Sequence, residues 1–95
     1  MNKLKVRFTE HSLEQVERRK ISIEVLEKVI TNPDQKFVDK DDRDRKICQS
    51  KIFDNLGRQK LLRAVIEETG KEIVVVTAYI TSKIEKYWSE NENKI

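Results

Sequence analysis

The apolar pattern of this sequence changes its period at Asn32-Pro33-Asp34, and that change constrains the fold more than any other feature. Before it, apolar residues recur at helical spacing, and Pro33 ends the pattern because the residue before a proline is driven out of the helical region. After it, short apolar runs are separated by turns, as in consecutive antiparallel strands. Helices early and strands late are typical of an α+β domain.

The first part predicts one strand and two helices. Lys3 to Phe8 alternates between apolar and basic residues, which is the period of a half-buried strand. A helix with Thr9 as N-cap is expected to run to about Lys20, with Leu13 and Val16 inward. A second helix, capped by Ser22, has a broad apolar face made of Ile23, Val25, Leu26, Val29 and Ile30.

The second part predicts a four-strand antiparallel meander. Its strands are expected at Lys36 to Lys40, Lys46 to Phe53, Leu61 to Glu67 and Glu72 to Thr81. Asp39 to Arg45 is interpreted as a solvated hairpin tip, and a last helical turn carries Ile84, Tyr87 and Trp88. The element order is therefore strand, helix, helix, four strands and a short helical turn.

Length and charge limit the class of protein. The 95 residues suffice for one small core, so we expect a single domain over residues 1–88 and a polar C-terminal tail over 89–95. No run approaches the ~18 apolar residues of a membrane span, and no secretory signal begins the chain. With one cysteine, Cys48, a cytoplasmic protein without membrane association is expected. The net charge of +3 permits an acidic partner without requiring one.

His11 is the only side chain that ordinarily gains and loses a proton near neutral pH. The neighbouring Arg7, Arg18 and Arg19 and the positive helix end favour its neutral, base-competent form. On position alone, the simpler interpretations are a surface or capping histidine and a solvated helix face that pairs the arginines with glutamates. No phosphate loop, zinc ligand set or nucleophile elbow is present, so no metal or other cofactor is expected.

A second group of polar side chains is predicted on the sheet face away from the helices. Arg63 lies there if Leu62, Ala64 and Ile66 face the helices, and Thr77 and Tyr79 join it if Val74, Val76, Ala78 and Ile80 face the core. Gln49 and Lys51 belong to the same surface if Cys48 and Ile52 point inward. Such a surface suits a phosphate and a ribose hydroxyl. A one-residue slip of register inverts every assignment, so an ordinary solvated sheet face is an equal interpretation.

The run from Phe8 to Ser22, Phe-Thr-Glu-His-Ser-Leu-Glu-Gln-Val-Glu-Arg-Arg-Lys-Ile-Ser, followed by Val29-Ile30-Thr31-Asn32-Pro33, resembles a family of small prokaryotic domains grouped with the RelE/ParE-like toxins. The family pattern is an aromatic residue, His-Ala, Arg, Met, Arg-Gly-Ile-Ser and a closing Asn-Pro, and the similarity covers about residues 6 to 83. Val74-Val75-Val76-Thr77 resembles its later apolar run. Ser12, Gln15 and Lys20 stand where the family often has Ala, Arg and Gly, which weakens any phosphate role for position 15.

The resemblance implies a RelE-like fold, with the helices on one face of a curved sheet, and a type II toxin silenced by a cognate antitoxin. Many such toxins cleave mRNA without a metal, often on the ribosome. On this basis the expected catalytic residues are His11, Arg19, Lys51, Arg63 and Tyr79. The expected substrate-binding residues are Arg7, Arg18, Gln49 and Thr77.

Two other functions are open. A ParE-like relative would act by binding a protein such as a topoisomerase, and its basic residues would then serve complementarity and association rate. A non-toxic RNA-binding module fits the positive charge, although aromatic residues make up only 6% of the chain. The expected partners are an antitoxin, RNA and, in some relatives, the ribosome; the sequence leaves the oligomeric state open.

Overall fold

The computed structural model describes residues 5–88. They form β1 (Lys5–Phe8), α1 (Glu10–Arg18), α2 (Ile23–Thr31), β2 (Gln35–Val38), β3 (Lys46–Phe53), β4 (Gln59–Glu68), β5 (Glu72–Thr81) and α3 (Ile84–Tyr87). The strands of this part of the chain make one five-stranded sheet in the order β1-β5-β4-β3-β2. β2 to β5 are an antiparallel meander, whereas β1 pairs with β5 in parallel.

The α+β class is confirmed, and the details of the sheet differ from the prediction. The sheet has five strands instead of a separate four-strand meander, because β1 joins its edge. The start of the first predicted strand, residues 3 and 4, and the predicted tail at 89–95 lie outside the described residues. No helix within residues 5–88 is long and apolar enough to cross a membrane.

Both predicted helix caps are confirmed. The Thr9 hydroxyl accepts a hydrogen bond from the Ser12 amide at 3.1 Å, and the Ser22 hydroxyl accepts one from the Val25 amide at 3.3 Å. These bonds satisfy amide groups that the first helical turn leaves without partners. α2 ends at Thr31, immediately before Asn32-Pro33, as the proline predicts.

The prediction that Leu13 faces inward is wrong. Leu13 is 42% exposed, whereas Ser12 and Val16 are buried at 0% and 2%. Ser12 can be buried because it is small and because its hydroxyl donates to the Thr9 carbonyl at 2.9 Å. The helix is therefore turned so that Ser12 and Val16 face the protein and Gln15 and Arg19 reach β5.

The core lies between α1, α2 and one face of the sheet. As predicted, Cys48, Leu62, Ala64, Ile66 and Ala78 contribute to it, together with Val16, Ile21, Leu26, Val29, Ile30, Ile73 and Val75. In β5 the predicted alternation fails. Ile66 pairs with Val75 and Val65 with Thr77, so Val76 is the extra residue of a β-bulge. Ile73 and Val75 consequently enter the core in place of Val74 and Val76.

The helices do not all lie on one face of the sheet. α3 and the following Trp88 contact Gln49, Arg63 and Lys51, which alternation places on the face opposite α1 and α2. The chain turns back over this second face after β5, and Leu61, at 0% exposure, is buried there outside the main core. The sheet is thus covered in part on both sides.

α1 ends in a Schellman motif whose left-handed residue is a lysine. The Ile21 amide donates to the Val16 carbonyl at 2.9 Å and the Lys20 amide to the Glu17 carbonyl at 3.2 Å. Lys20 has a φ of 54°, a region that favours glycine because it has no Cβ.

Replacing Lys20 by Gly is expected to stabilise the protein by about 0.5–1 kcal/mol, since glycine adopts positive φ without the Cβ clash but loses more chain entropy on folding. Denaturant and thermal unfolding measure the effect, which corresponds to a melting temperature higher by roughly 2–8 °C. Lys28→Gly in α2 is the control and should destabilise by about 1 kcal/mol. Destabilisation by Lys20→Gly would show that the turn does not need a glycine-like backbone.

Glu68 joins three strands through two ammonium groups. It accepts hydrogen bonds from Lys36 Nζ at 2.8 Å and Lys46 Nζ at 2.5 Å, which links β4 to β2 and β3. These two bonds lower the pKa of Glu68 below its ordinary value. A depressed carboxyl pKa contributes stability above the pKa of the unfolded chain, and that contribution is lost as the pH falls through the folded-state pKa.

Glu68→Gln is therefore expected to reduce the free energy of unfolding by about 1 kcal/mol at pH 7. The difference from the native chain should begin to shrink as the pH falls below the ordinary glutamate pKa of about 4.3, and it should disappear only below the lowered folded-state pKa, where the carboxyl is protonated in both folded and unfolded states. Urea unfolding across this range measures it. Glu27→Gln, at an exposed position of α2, is the matched control and should show no comparable pH dependence. An equal loss at both pH values would rule out an ionic origin.

Candidate functional site

α1 lies along the part of β5 that β1 leaves uncovered. β1 pairs with β5 only as far as Val75, so within residues 5–88 the following residues of β5 have no neighbouring strand on that side. The Thr9 hydroxyl donates to the Val75 carbonyl at 3.2 Å, and Arg19 Nη1 donates to the Ala78 carbonyl at 2.7 Å. Side chains from the two ends of α1 thus replace strand hydrogen bonds at an otherwise open edge.

A chain of side-chain hydrogen bonds leads from His11 over this edge. Gln15 Nε2 donates to His11 Nε2 at 2.9 Å, and Gln15 Oε1 accepts from the Thr77 hydroxyl. Because an amide nitrogen can only donate, His11 Nε2 is the acceptor and the ring proton lies on Nδ1. The exposed imidazole is oriented by this bond, and its Nδ1–H points away from Gln15 and is left for a ligand.

A row of polar side chains crosses the opposite face of the sheet. Strand pairing aligns Gln35, Gln49, Arg63 and Tyr79 across β2, β3, β4 and β5. Arg63 Nε donates to Gln49 Oε1 at 2.8 Å, and Arg63 Nη1 donates to the Tyr79 hydroxyl at 2.6 Å. Gln49 Nε2 in turn donates to Gln35 Oε1 at 2.7 Å. The prediction that Gln49, Arg63 and Tyr79 share a face is confirmed.

Arg63 is a buried cation among neutral partners. It is 7% exposed, and the ring of Tyr87 lies 4.0 Å from its Cζ. No carboxylate of the described chain forms an ion pair with it. Stacking and hydrogen bonds to neutral groups hold a guanidinium without cancelling its charge. The surface above Arg63 is consequently attractive to an anion.

His11 of α1, Arg19 at the C-cap of the same helix and Arg63 of β4 are linked to three consecutive residues of β5. His11 is connected to Thr77 through Gln15, Arg19 bonds the carbonyl of Ala78, and Arg63 bonds Tyr79. Thr77 and Tyr79 point to the same face, about 7 Å apart along the strand. None of the three cationic or titratable groups has an ion-pair partner within residues 5–88. Six of the nine predicted site residues belong to this cluster: His11, Arg19, Gln49, Arg63, Thr77 and Tyr79.

The other three predicted site residues lie elsewhere. Arg7 pairs with Glu72 at 2.9 Å, at the beginning of β5 and about 16 Å along the strand from Thr77. Lys51 lies on β3, two strands from β5, where its Nζ is 4.1 Å from the centre of the Trp88 ring. Arg18 is exposed on α1. Arg7 and Lys51 therefore do not join the cluster.

Two members of the site were not predicted. Gln15 orients His11, and the signal for it was available, because residues four apart on a helix are neighbours. Tyr87 covers Arg63 and accepts a hydrogen bond from Gln49 Nε2 on its carbonyl at 3.0 Å. No local pattern indicates this contact, since it depends on how the chain returns over the sheet after β5.

The described residues do not gather ligands for a metal. Among them, no three His, Cys, Asp or Glu side chains are grouped to hold one. Burial raises the pKa of the Cys48 thiol to about 11, so it stays protonated in the core near neutral pH. The candidate site itself offers imidazole, guanidinium, phenol and amide groups.

Fold and site together define a small α+β domain with a cationic, aromatic-covered sheet face beside a helix-borne histidine. A family model described as a domain of unknown function (DUF4258) matches residues 8–80, and the chain belongs to this family. No curated protein and no solved structure matches the chain. The matched span runs from the end of β1 into the last part of β5, so it contains His11, Arg19, Arg63 and Tyr79.

Tyr79→Phe is expected to lower the free energy of unfolding by about 1–2 kcal/mol, because a buried charged donor on Arg63 loses its acceptor. Tyr87→Phe is the matched control. The ring that stacks on Arg63 is kept, and the Tyr87 hydroxyl makes no hydrogen bond within the described chain, so a change below about 0.5 kcal/mol is expected. Urea unfolding compares the two. Equal effects would show that the Arg63–Tyr79 bond does not contribute to stability.

Proposed function

We propose that this chain is a toxin of the RelE/ParE superfamily that cleaves mRNA without a metal, alone or on the ribosome, and that a cognate antitoxin silences it in the cytoplasm. The convergence of His11, Arg19 and Arg63 on Thr77 to Tyr79 supports the proposal most directly. It provides one titratable group and two cations, without carboxylate partners in residues 5–88, around a single stretch of strand.

The proposed reaction is an internal transfer of the phosphodiester. The ribose 2′-oxygen attacks the adjacent phosphorus, the bond from phosphorus to the 5′-oxygen breaks, and the products end in a 2′,3′-cyclic phosphate and a 5′-hydroxyl. A base removes the 2′-proton and an acid supplies one to the 5′-oxygen. Cations stabilise the charge that develops on the phosphoryl oxygens. The reaction needs no cofactor.

His11 is assigned to proton transfer. With Gln15 bonded to Nε2, Nδ1–H can donate a hydrogen bond to a substrate oxygen, and as the acid the ring returns to the 5′-oxygen the proton that it took as the base. To act as the base, the ring has to exchange the Gln15 amide for the 2′-hydroxyl. Gln15 is held in turn by Thr77, so this arm of the site positions the imidazole relative to β5.

Tyr79 and Arg19 are assigned to the phosphate. The Tyr79 oxygen accepts from Arg63, which leaves the phenolic proton free to be donated to a phosphoryl oxygen. Arg63 lies behind it and contributes its positive charge from a buried position. Arg19 is exposed and uses Nη1 for the Ala78 carbonyl, and a guanidinium has four further N–H groups for an oxyanion. Lys51, Arg7 and Arg18 would contact flanking nucleotides.

Purified protein is expected to cleave RNA, alone or with translating ribosomes, in the presence of EDTA and with 2′,3′-cyclic phosphate ends. His11→Ala should reduce the rate by about 10²-fold or more, because general acid–base help is lost. Arg63→Lys should also reduce it, since a lysine cannot hold Gln49 and Tyr79 together. Gel analysis of end-labelled RNA, with end mapping, gives both results.

Arg43→Ala, in the exposed hairpin between β2 and β3, removes the same charge far from the site and should leave the rate unchanged. Circular dichroism confirms that each variant is folded, and His11→Ala is the cleaner case because His11 is exposed. Growth inhibition that survives both site variants while RNA stays intact would replace the nuclease with a function in protein binding. A folded protein that neither cleaves RNA nor inhibits growth would end the toxin proposal.

A further inference from the structure

An apolar groove opens on the helix side of the sheet, at the end where β3 and β4 are joined. Its volume is about 490 Å³, and its apolar lining consists of Ile21, Val25, Ile52, Phe53, Leu62 and Ile80. Three of these side chains remain accessible to solvent: Val25 at 38%, Phe53 at 69% and Ile80 at 39%. Large apolar side chains clustered in a groove are more typical of a binding surface than of an ordinary exterior.

The groove follows from the lengths of the secondary structure elements. α1 and α2 have nine residues each, about 13 Å, whereas β4 and β5 have ten residues each, about 33 Å. The helices therefore cannot cover the whole apolar face of the strands. Strand pairing places Leu62 and Ile80 side by side on that face.

The polar rim of the groove is positively charged. Lys20 and Lys60 line it, and no carboxylate in residues 5–88 forms an ion pair with either. The carboxylate of Asp54 also lies at the rim, but the Leu56 and Arg58 amides and Arg58 Nε, at 2.9 Å each, already use its oxygens. The charge available to a ligand is thus that of the two lysines.

Lys20 adds an independent observation. It occupies the left-handed position at the end of α1, where a glycine would fit the backbone better. A lysine at this place is unfavourable for the turn, yet it supplies one of the two cations of the rim. A role for the ammonium group in binding accounts for both facts.

We infer that this groove is the docking site for a short acidic, amphipathic segment of a partner protein. Its apolar side chains cover Val25, Phe53 and Ile80, and its carboxylates reach Lys20 and Lys60. A second copy of this chain fits poorly because its net charge is +3. A nucleic acid would leave the apolar lining uncovered. The inference does not depend on the proposed nuclease, since Leu62 and Ile80 face the helix side and Arg63 and Tyr79 the other.

Two fluorescein-labelled peptides of about 14 residues, roughly four helical turns, test the inference. Both carry leucines along one helical face; one has glutamates and the other lysines at the remaining positions. Fluorescence anisotropy on the full chain is expected to give a Kd at least about tenfold lower for the glutamate peptide. Amide chemical shifts of ¹⁵N-labelled protein should change around Lys20 to Val25, Phe53 to Asn55 and Ile80.

Four variants separate the contributions of charge and apolar contact to peptide binding. Lys60→Glu should weaken binding of the glutamate peptide about tenfold and strengthen binding of the lysine peptide. Lys28→Glu makes an equal charge change on α2 outside the groove and should alter neither affinity. Phe53→Ser should weaken both peptides, and its high exposure keeps the fold intact. Lys20→Gly should weaken the glutamate peptide although it raises the melting temperature, which separates binding from stability.

Equal binding of the two peptides, binding of neither, or shift changes on the Arg63 face would overturn the inference. Sedimentation of the chain alone tests whether a second copy of the chain occupies the groove. Self-association that Phe53→Ser abolishes would assign the groove to a second copy and exclude the acidic segment. Loss of RNA cleavage in the His11 variant leaves all of these results unaffected, so the two proposals fail separately.

Discussion

The packing of α1 against the free edge of β5 is the contact on which the rest of the structure depends. β1 pairs with β5 only over its first residues, and from there Thr9 and Arg19 take over as donors to the carbonyls of Val75 and Ala78. Unpaired strand edges invite association with other chains, so a helix at this place protects the sheet. The same contact brings His11 to the sheet. The packing of α1 against β5 therefore has two effects. It protects the strand edge, and it positions His11 in the candidate site.

The second feature on which the candidate site depends is the environment of Arg63. A buried guanidinium is usually compensated by a carboxylate, but here amide, phenol and ring groups surround it. Such an environment provides hydrogen-bond acceptors for the N–H groups of the guanidinium but does not neutralise its positive charge. α3 contributes the ring of Tyr87, so this short helix is part of the electrostatics of the candidate site.

Local features of the fold could be predicted from the sequence. The bounds of β3 and β5 agree with the prediction because turn residues and alternation mark them directly. The face of Arg63 followed from Leu62, Ala64 and Ile66 in the same way. The parallel pairing of Lys5 with Glu72 could not be read, since nothing local connects residues so distant in the chain. The inward side of α1 was misassigned because Ser12, a polar residue, is buried with its hydroxyl satisfied by the helix itself.

For the candidate site, the sequence likewise predicted individual residues but not the contacts between them. Residue type and alternation proposed His11, Arg63 and Tyr79 as candidates, whereas the link from His11 to Thr77 depends on the orientation of α1. The contact of the Tyr87 ring with Arg63 could not be predicted, because it depends on the return of the chain over the second face of the sheet. The chemistry-bearing residues were thus readable from local sequence, but the contacts that position them are tertiary and were not.

The bulge at Val76 has a consequence for how the strand aims its side chains. Without the extra residue, β5 would still direct Val75 and Ala78 inward, because removal of one residue between them restores a regular alternation. Burial alone therefore does not require Val76. A bulge adds local twist, and this one occurs where the neighbour of β5 changes from a strand to a helix. The additional residue therefore changes the local course of the strand next to Thr77, and the burial pattern does not depend on it.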